Sequence, residues 1–167
     1  MYKHTQIGYT AIVIVFGVML GIIIKGAFDS RVGFDWKLHG IVGLAIVVIG
    51  GVFSTLTVRV ENGLLSWNFA IPAIRNSIPL KDIRKVEIVR NPLIYGWGMH
   101  MIRGGWVYNV SGRTAVEIGL DDGTRLRLGT DEPEALVEAM AVHGVSASAM
   151  QATNPTISRA ARPKATY

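Results

Sequence analysis

Between residues 90 and 108 the chain concentrates the side chains best suited to bind something: Arg90, Tyr95, Trp97, Arg103, Trp106 and Tyr108, interleaved with Gly96, Gly98, Gly104 and Gly105. Large aromatics and Arg dominate binding hot spots, and glycine lets a backbone or a ligand come close. The pattern fits a groove for a partner peptide, a lipid headgroup, or the membrane surface itself with the tryptophans as interfacial anchors. It also fits a small core filled by alternate aromatics, with the glycines serving bulges and turns.

Catalytic chemistry has little footing. The four histidines, His4, His39, His100 and His143, are scattered, and cysteine is absent, which excludes disulfides, thiolate ligands and a Cys nucleophile. There is no G-x-S-x-G, no H-E-x-x-H, no Walker loop and no dinucleotide fingerprint. The acidic pairs Asp121-Asp122 and Asp131-Glu132 read as a turn and a helix cap, without calcium-loop spacing. The expectation is a non-enzyme with no catalytic residue, no metal and no cofactor.

Nucleic acid is also excluded as a partner. The net charge is +5 and the pI about 9.7, yet from Arg59 onward 13 Lys and Arg face 10 Asp and Glu, with no basic run and no recognised motif.

The elements that must position the binding candidates begin with two apolar stretches, Ile7 to Ile24 and Leu38 to Val58, neither containing Asp, Glu, Lys or Arg. At about 1.5 Å per residue each covers roughly the 30 Å hydrocarbon layer of a bilayer. The leading segment Met1 to Gln6 holds a single Lys, and Lys25-Gly26-Ala27-Phe28-Asp29 is a poor cleavage site, so the first stretch reads as a retained anchor. A 13-residue connection, Lys25 to Lys37, lets the helices return antiparallel, which puts both chain ends on one face. Tyr2, Tyr9 and Trp36 fall where interfacial aromatics sit, while flanking charges are nearly balanced between the two sides.

Gly17 and Gly21 form a GxxxG step on the first helix, and Gly43, Gly50 and Thr57 recur every seven residues on the second. Such residues let helix backbones pack closely in lipid, within the hairpin or across a homo-oligomer face. No ionisable group lies mid-span, so the mark of an ion path or a transport site is missing; His39 sits at the mouth of the second helix as an interfacial residue.

Beyond Thr55 the period changes to alternation. Thr57 to Val60 and Leu64 to Phe69 flank Glu61-Asn62-Gly63, a hairpin signal because Asn and Gly tolerate positive φ. Further strands are expected at residues 73–78, 83–90, 98–103, 106–110, 115–120 and 125–128, with Asp121-Asp122-Gly123 as another tight turn. A helix follows, with Asp131 as N-cap, Glu134 as capping-box partner, Pro133 in the first turn, Gly144 past the end, and an apolar stripe of Leu136, Ala139 and Met140. From Val145 the Ser, Ala, Thr, Pro and Arg composition predicts a disordered tail to Tyr167.

Several segments carry a resemblance: Ser77-Ile78-Pro79-Leu80-Lys81-Asp82-Ile83, the Asn91 to Gly98 stretch, Trp106 to Gly112, and Gly129-Thr130-Asp131-Glu132-Pro133. With the order of elements, they resemble small bacterial membrane proteins that join two transmembrane helices to a bacterial pleckstrin-homology-like (bPH) domain. The resemblance implies a membrane α+β fold: a helical hairpin over 1–58, a PH-like seven-stranded bent sheet or barrel over 59–144 with one C-terminal capping helix, and the tail from 145. It also implies a bacterial plasma-membrane protein with both termini and the domain on one side, the cytoplasmic side. Relatives that bind phosphoinositides carry several Lys and Arg around the first strand-to-strand loop, which here is Glu61-Asn62-Gly63 with only Arg59 nearby. An acid at that mouth repels a phosphate, so phosphoinositide binding is not expected there.

The sequence thus predicts a membrane-anchored interaction or assembly module whose partners are the bilayer and a protein or a second copy. Lipid-headgroup binding is the alternative class, and a transport-associated subunit a third.

Overall fold

The computed structural model of the chain describes residues 1–28, 35–71, 75–92, 95–145 and 150–151. The helix-to-helix connection at 29–34, the Trp36 side chain and the expected tail beyond residue 151 lie outside the described residues.

The chain opens on a strand that alternation among polar residues had concealed. β1 (Tyr2–Ile7) turns Tyr2, His4 and Gln6 toward the protein and Lys3, Thr5 and Ile7 outward. It leads through Gly8 into α1 (Tyr9–Phe28), which returns as α2 (Trp36–Val52). Asp35 caps α2, its carboxylate accepting from the Lys37 and Leu38 amides at 2.9 and 3.1 Å. Both helices leave most of their apolar side chains exposed, from Val13 and Phe16 to Ile41 and Leu44.

α1 is 20 residues long and apolar enough to cross a membrane, with only 6% of its span buried within the chain. α2 has 17 residues and is shorter than the second apolar stretch. The expected helical spans, 7–24 and 38–58, shift accordingly. Ile7 belongs to β1, and the stretch from Thr55 turns into β2 (Thr55–Glu61), whose β-branched Thr and Val residues pair with β1 from Ile7↔Thr55 to Tyr2↔Val60. The boundary expected after residue 58 therefore falls within a strand.

β3 (Leu64–Phe69) pairs with β2 across the expected turn, with φ of 52° at Asn62 and 74° at Gly63, and β4 (Arg75–Pro79) completes an antiparallel four-stranded sheet. After a 3-10 turn at Leu80–Asp82 come β5 (Ile83–Arg90), β6 (Gly98–Ile102), β7 (Gly105–Asn109), β8 (Thr114–Leu120) and β9 (Arg125–Gly129). With β10 (Met150–Gln151), they form a second sheet in the order β10-β5-β8-β9-β7-β6. In place of the expected seven-stranded bent sheet or barrel, the described residues form ten strands in two sheets, in which β8 inserts beside β5 and β7 runs parallel to β9. The parallel pair is possible because Gly105 has no Cβ, which would stand 1.5 Å from the Arg125 carbonyl oxygen.

The two sheets enclose one core. Leu56, Val58, Val60, Leu65, Trp67 and Phe69 from the first meet Val86, Tyr108, Val116, Ile118, Leu126 and Leu128 from the second. α3 (Pro133–Val142) closes it with Leu136 and Met140. Asp131 is not the cap of α3. The N-cap position falls on Glu132, whose amide donates to Thr130 Oγ1 at 3.1 Å, while Asp131 pairs with His4 Nε2 at 2.7 Å and ties α3 to β1. Val145, where the tail was expected to begin, is buried, and Met150 and Gln151 pair with Val86 and Glu87.

Candidate functional site

The six sequence candidates do not converge on one surface. Tyr108 is 7% exposed and packs its ring edge-on to Trp67 at 5.3 Å, so it is core. Tyr95 lies on the opposite face of the second sheet, with the Arg127 guanidinium 5.7 Å from its ring centre. Arg90 is exposed at the end of β5, and Arg103 at the β6–β7 turn, where its carbonyl accepts from Arg125 Nη2 at 2.7 Å. Trp97 and Trp106 remain partly exposed, each at 41%.

Trp106 has neighbours that the sequence did not single out. It faces Met101 across the β6–β7 ladder, and Met99 faces Tyr108. Directly opposed residues share a face, so Met99, Met101 and Trp106 continue the inner face of the sheet past the edge of the core. Met99 and Met101 are 43% and 76% exposed. Among the described residues β6 is the last strand on that side of the sheet.

The helix glycines divide as well. A Cβ on Gly50 would lie 2.4 Å from Val15 Cγ2, and one on Gly43 would lie 3.2 Å from Met19 Sδ, so both sit at the contact between α1 and α2. Gly17 and Gly21 have nothing within 4 Å of that position and point away from the hairpin.

Where the helices meet the sheets, two cavities adjoin. The smaller, about 310 Å³, is lined by Thr10, Asn91, Trp97, Asn109 and Arg113 together with backbone near Gly96 and Gly112. Asn91 is 2% exposed; its Oδ1 accepts from Arg127 Nη1 at 3.2 Å. An arginine can only donate, so the amide is fixed with Nδ2 on the other side, and that donor has no partner. Asn109 Nδ2 holds the loop by donating to the Gly96 and Gly112 carbonyls. The Arg113 Nε donates to the Asn91 carbonyl at 3.2 Å.

The second cavity, about 420 Å³, is apolar and lies behind Trp97, against Ala11, Ile14, Ile46, Phe53 and Met99. His100 lines it too, with Nε2 buried and without a partner. The sequence signal for this junction was faint: Asn91 precedes Pro92 as any turn residue would, and Thr10 sits in an apolar run.

On the outer face of the second sheet, Arg127 pairs with Glu117 at 2.5 Å, and an open cleft there also receives Glu87, Arg90 and Arg113. Among the described ion pairs Arg84, Arg125 and Arg127 each meet an acid, whereas Arg90 and Arg113 meet none. Two tyrosines are perturbed: burial, reinforced by Glu132 and Asp131, pushes the Tyr2 hydroxyl up to about 12, and burial pushes Tyr108 up. Among the described residues no three His, Asp or Glu gather as metal ligands.

No protein-family model matches the chain, and no curated protein and no solved structure matches it either.

Proposed function

We propose that this chain is a non-catalytic, membrane-anchored interaction module: two antiparallel helices cross a bilayer and hold a PH-like β-domain against one of its surfaces, where the free edge of β6 receives a protein partner. The observation that carries the partner reading is the exposure of Met99 and Met101 on the edge strand β6, with Trp106 beside Met101 on the neighbouring β7. An exposed apolar edge is a liability in a free domain and an asset where a partner's extended segment adds to it.

Three observations support the anchor. α1 is apolar and scarcely buried. β1 lies before α1 yet pairs with β2 beyond α2, so loss of the first helix as a signal peptide would strip a strand from the sheet. The same pairing supports an even number of crossings between residues 7 and 55, with α2, at about 25 Å, as the proposed return span. The PH-like assignment rests on element order, two facing sheets and a C-terminal closing helix; the parallel β7–β9 pair sets this domain apart from a plain meander. Both termini and the domain then share one side, for which the cytoplasmic face of a bacterial plasma membrane is proposed.

A photocrosslinking residue placed at Met101 of the full-length protein in native membranes tests this. A discrete protein adduct that disappears with Trp106→Ala supports the module, and the mass of the adduct tells a second copy from another protein. Labelling only of lipid, or full-length protein found in the carbonate-washed supernatant, overturns it.

A further inference from the structure

We infer that the junction of α1 with the sheets holds one anionic phospholipid, its phosphate in the polar cavity against Arg113 and Asn91 and an acyl chain in the apolar cavity behind Trp97. The inference rests on the helices being in a bilayer, as proposed above.

The polar cavity offers donors. Asn91 Nδ2 is buried and unpartnered, and an unsatisfied buried donor is costly until an acceptor reaches it. Arg113 is exposed, fixed through its Nε, and has no carboxylate partner among the described residues. Thr10 brings the first turn of α1 to the same cavity. That turn follows Gly8, which has no side chain to cap it, and contains no acidic residue, so the positive end of a 20-residue helix reinforces the other two donors. Arg90, also without an acid partner, lies beside Arg113 in the adjoining cleft. Glu87 and Glu117 share that cleft but are paired with Lys85 and Arg127, so the donors left over select an anion with several acceptor oxygens, while Asn109 Oδ1 in the same cavity as Asn91 is a buried acceptor without a partner.

Position selects a lipid over a soluble anion. Along α1 the polar cavity touches Thr10 and the apolar one Ala11, Ile14 and Val15, so the change from polar to greasy lining follows the helix inward over about 6 to 8 Å. Trp97 forms a wall of both cavities, at the level where indoles settle in bilayers. His100 Nε2, unpartnered near Gly96, sits at the seam where a glycerol ester would pass.

The test uses full-length protein in nanodiscs of defined lipid, with retained lipid read by native mass spectrometry and with phosphatidylglycerol, phosphatidylcholine and inorganic phosphate as probes. One phosphatidylglycerol should stay bound per chain, phosphatidylcholine should not, and Arg113→Gln should weaken retention about tenfold, with Arg113→Lys between. Trp97→Ala should weaken phosphatidylglycerol alone. Equal retention of the two lipids, or of phosphatidylglycerol by wild type and Arg113→Gln at unchanged circular dichroism, overturns the inference. Inorganic phosphate binding as tightly as phosphatidylglycerol assigns the site to a soluble anion and overturns the lipid. Failure to enter nanodiscs of either lipid defeats the bilayer reading itself, whereas insertion without selectivity defeats this inference alone.

Discussion

The Gly8 amide donates to the Ser54 carbonyl at 2.6 Å, the last rung of the β1–β2 ladder before both chains become helices. A side chain at residue 8 has no room: its Cβ would stand 2.9 Å from the Val110 carbonyl oxygen and 3.1 Å from that of Ser54. Backbone oxygens cannot step aside as a flexible side chain can. Gly8→Val should therefore lower stability by about 1–3 kcal/mol through overpacking, seen as a lower thermal midpoint by circular dichroism in detergent. An unchanged midpoint would mean that the helices and the sheets are not locked at this rung.

The hairpin contact gives a paired prediction. Gly50→Leu should drive α1 from α2, because Val15 already fills the space, and should reduce disulfide formation between cysteines introduced at Met19 and Gly43, which face each other across the hairpin. Gly17→Leu should leave that crosslink intact, since nothing lies within 4 Å of its Cβ position.

Aromatic truncation separates core from surface. Tyr108→Ala should cost about 3–5 kcal/mol, since its ring touches both Trp67 and Phe69, whereas Trp106→Ala should cost far less and leave the domain folded. Denaturant midpoints of the two variants decide it, and equal losses would place Trp106 in the core as well.

Alkaline pH should loosen the first strand. The Tyr2 hydroxyl is buried without a partner beside Asp131 and Glu132, and its pKa rises from 10.0 to about 12. Between these values the unfolded chain gives up a proton that the folded chain keeps, so stability holds below pH 10 and falls as the pH climbs from 10 to 12. Thermal midpoints across that window should drop less in Tyr2→Phe than in wild type, and identical profiles would contradict this origin.

How much of this was legible follows from how local each signal is. The Asn62-Gly63 and Asp121-to-Gly123 turns, and strands such as Ile83–Arg90 and Leu64–Phe69, formed where alternation placed them, because turn chemistry and period act within a few residues. β1 was hidden because Tyr2, His4 and Gln6 are polar-tipped, and its partner lies about fifty residues away. The β7–β9 pairing was equally out of reach, since only close backbone approach at Gly105 permits it. Asp131 looked like a cap, yet its carboxylate went to His4, a tertiary partner no local rule supplies. At the candidate site, aromatic density singled out residues 90–108 and could not say that Tyr108 turns inward while Trp97 joins the helices.

Because the strand made first pairs with one made only after α2, Tyr2–Ile7 must wait for more than forty residues of synthesis before its neighbour exists. At about 5–20 residues per second that is a delay of seconds, far longer than hairpins or helices need to form. Closing the first sheet then brings together the two ends of the helical segment, and a chain that fails to close it is left with Tyr2–Ile7 as an unpaired ribbon, a natural handle for quality control.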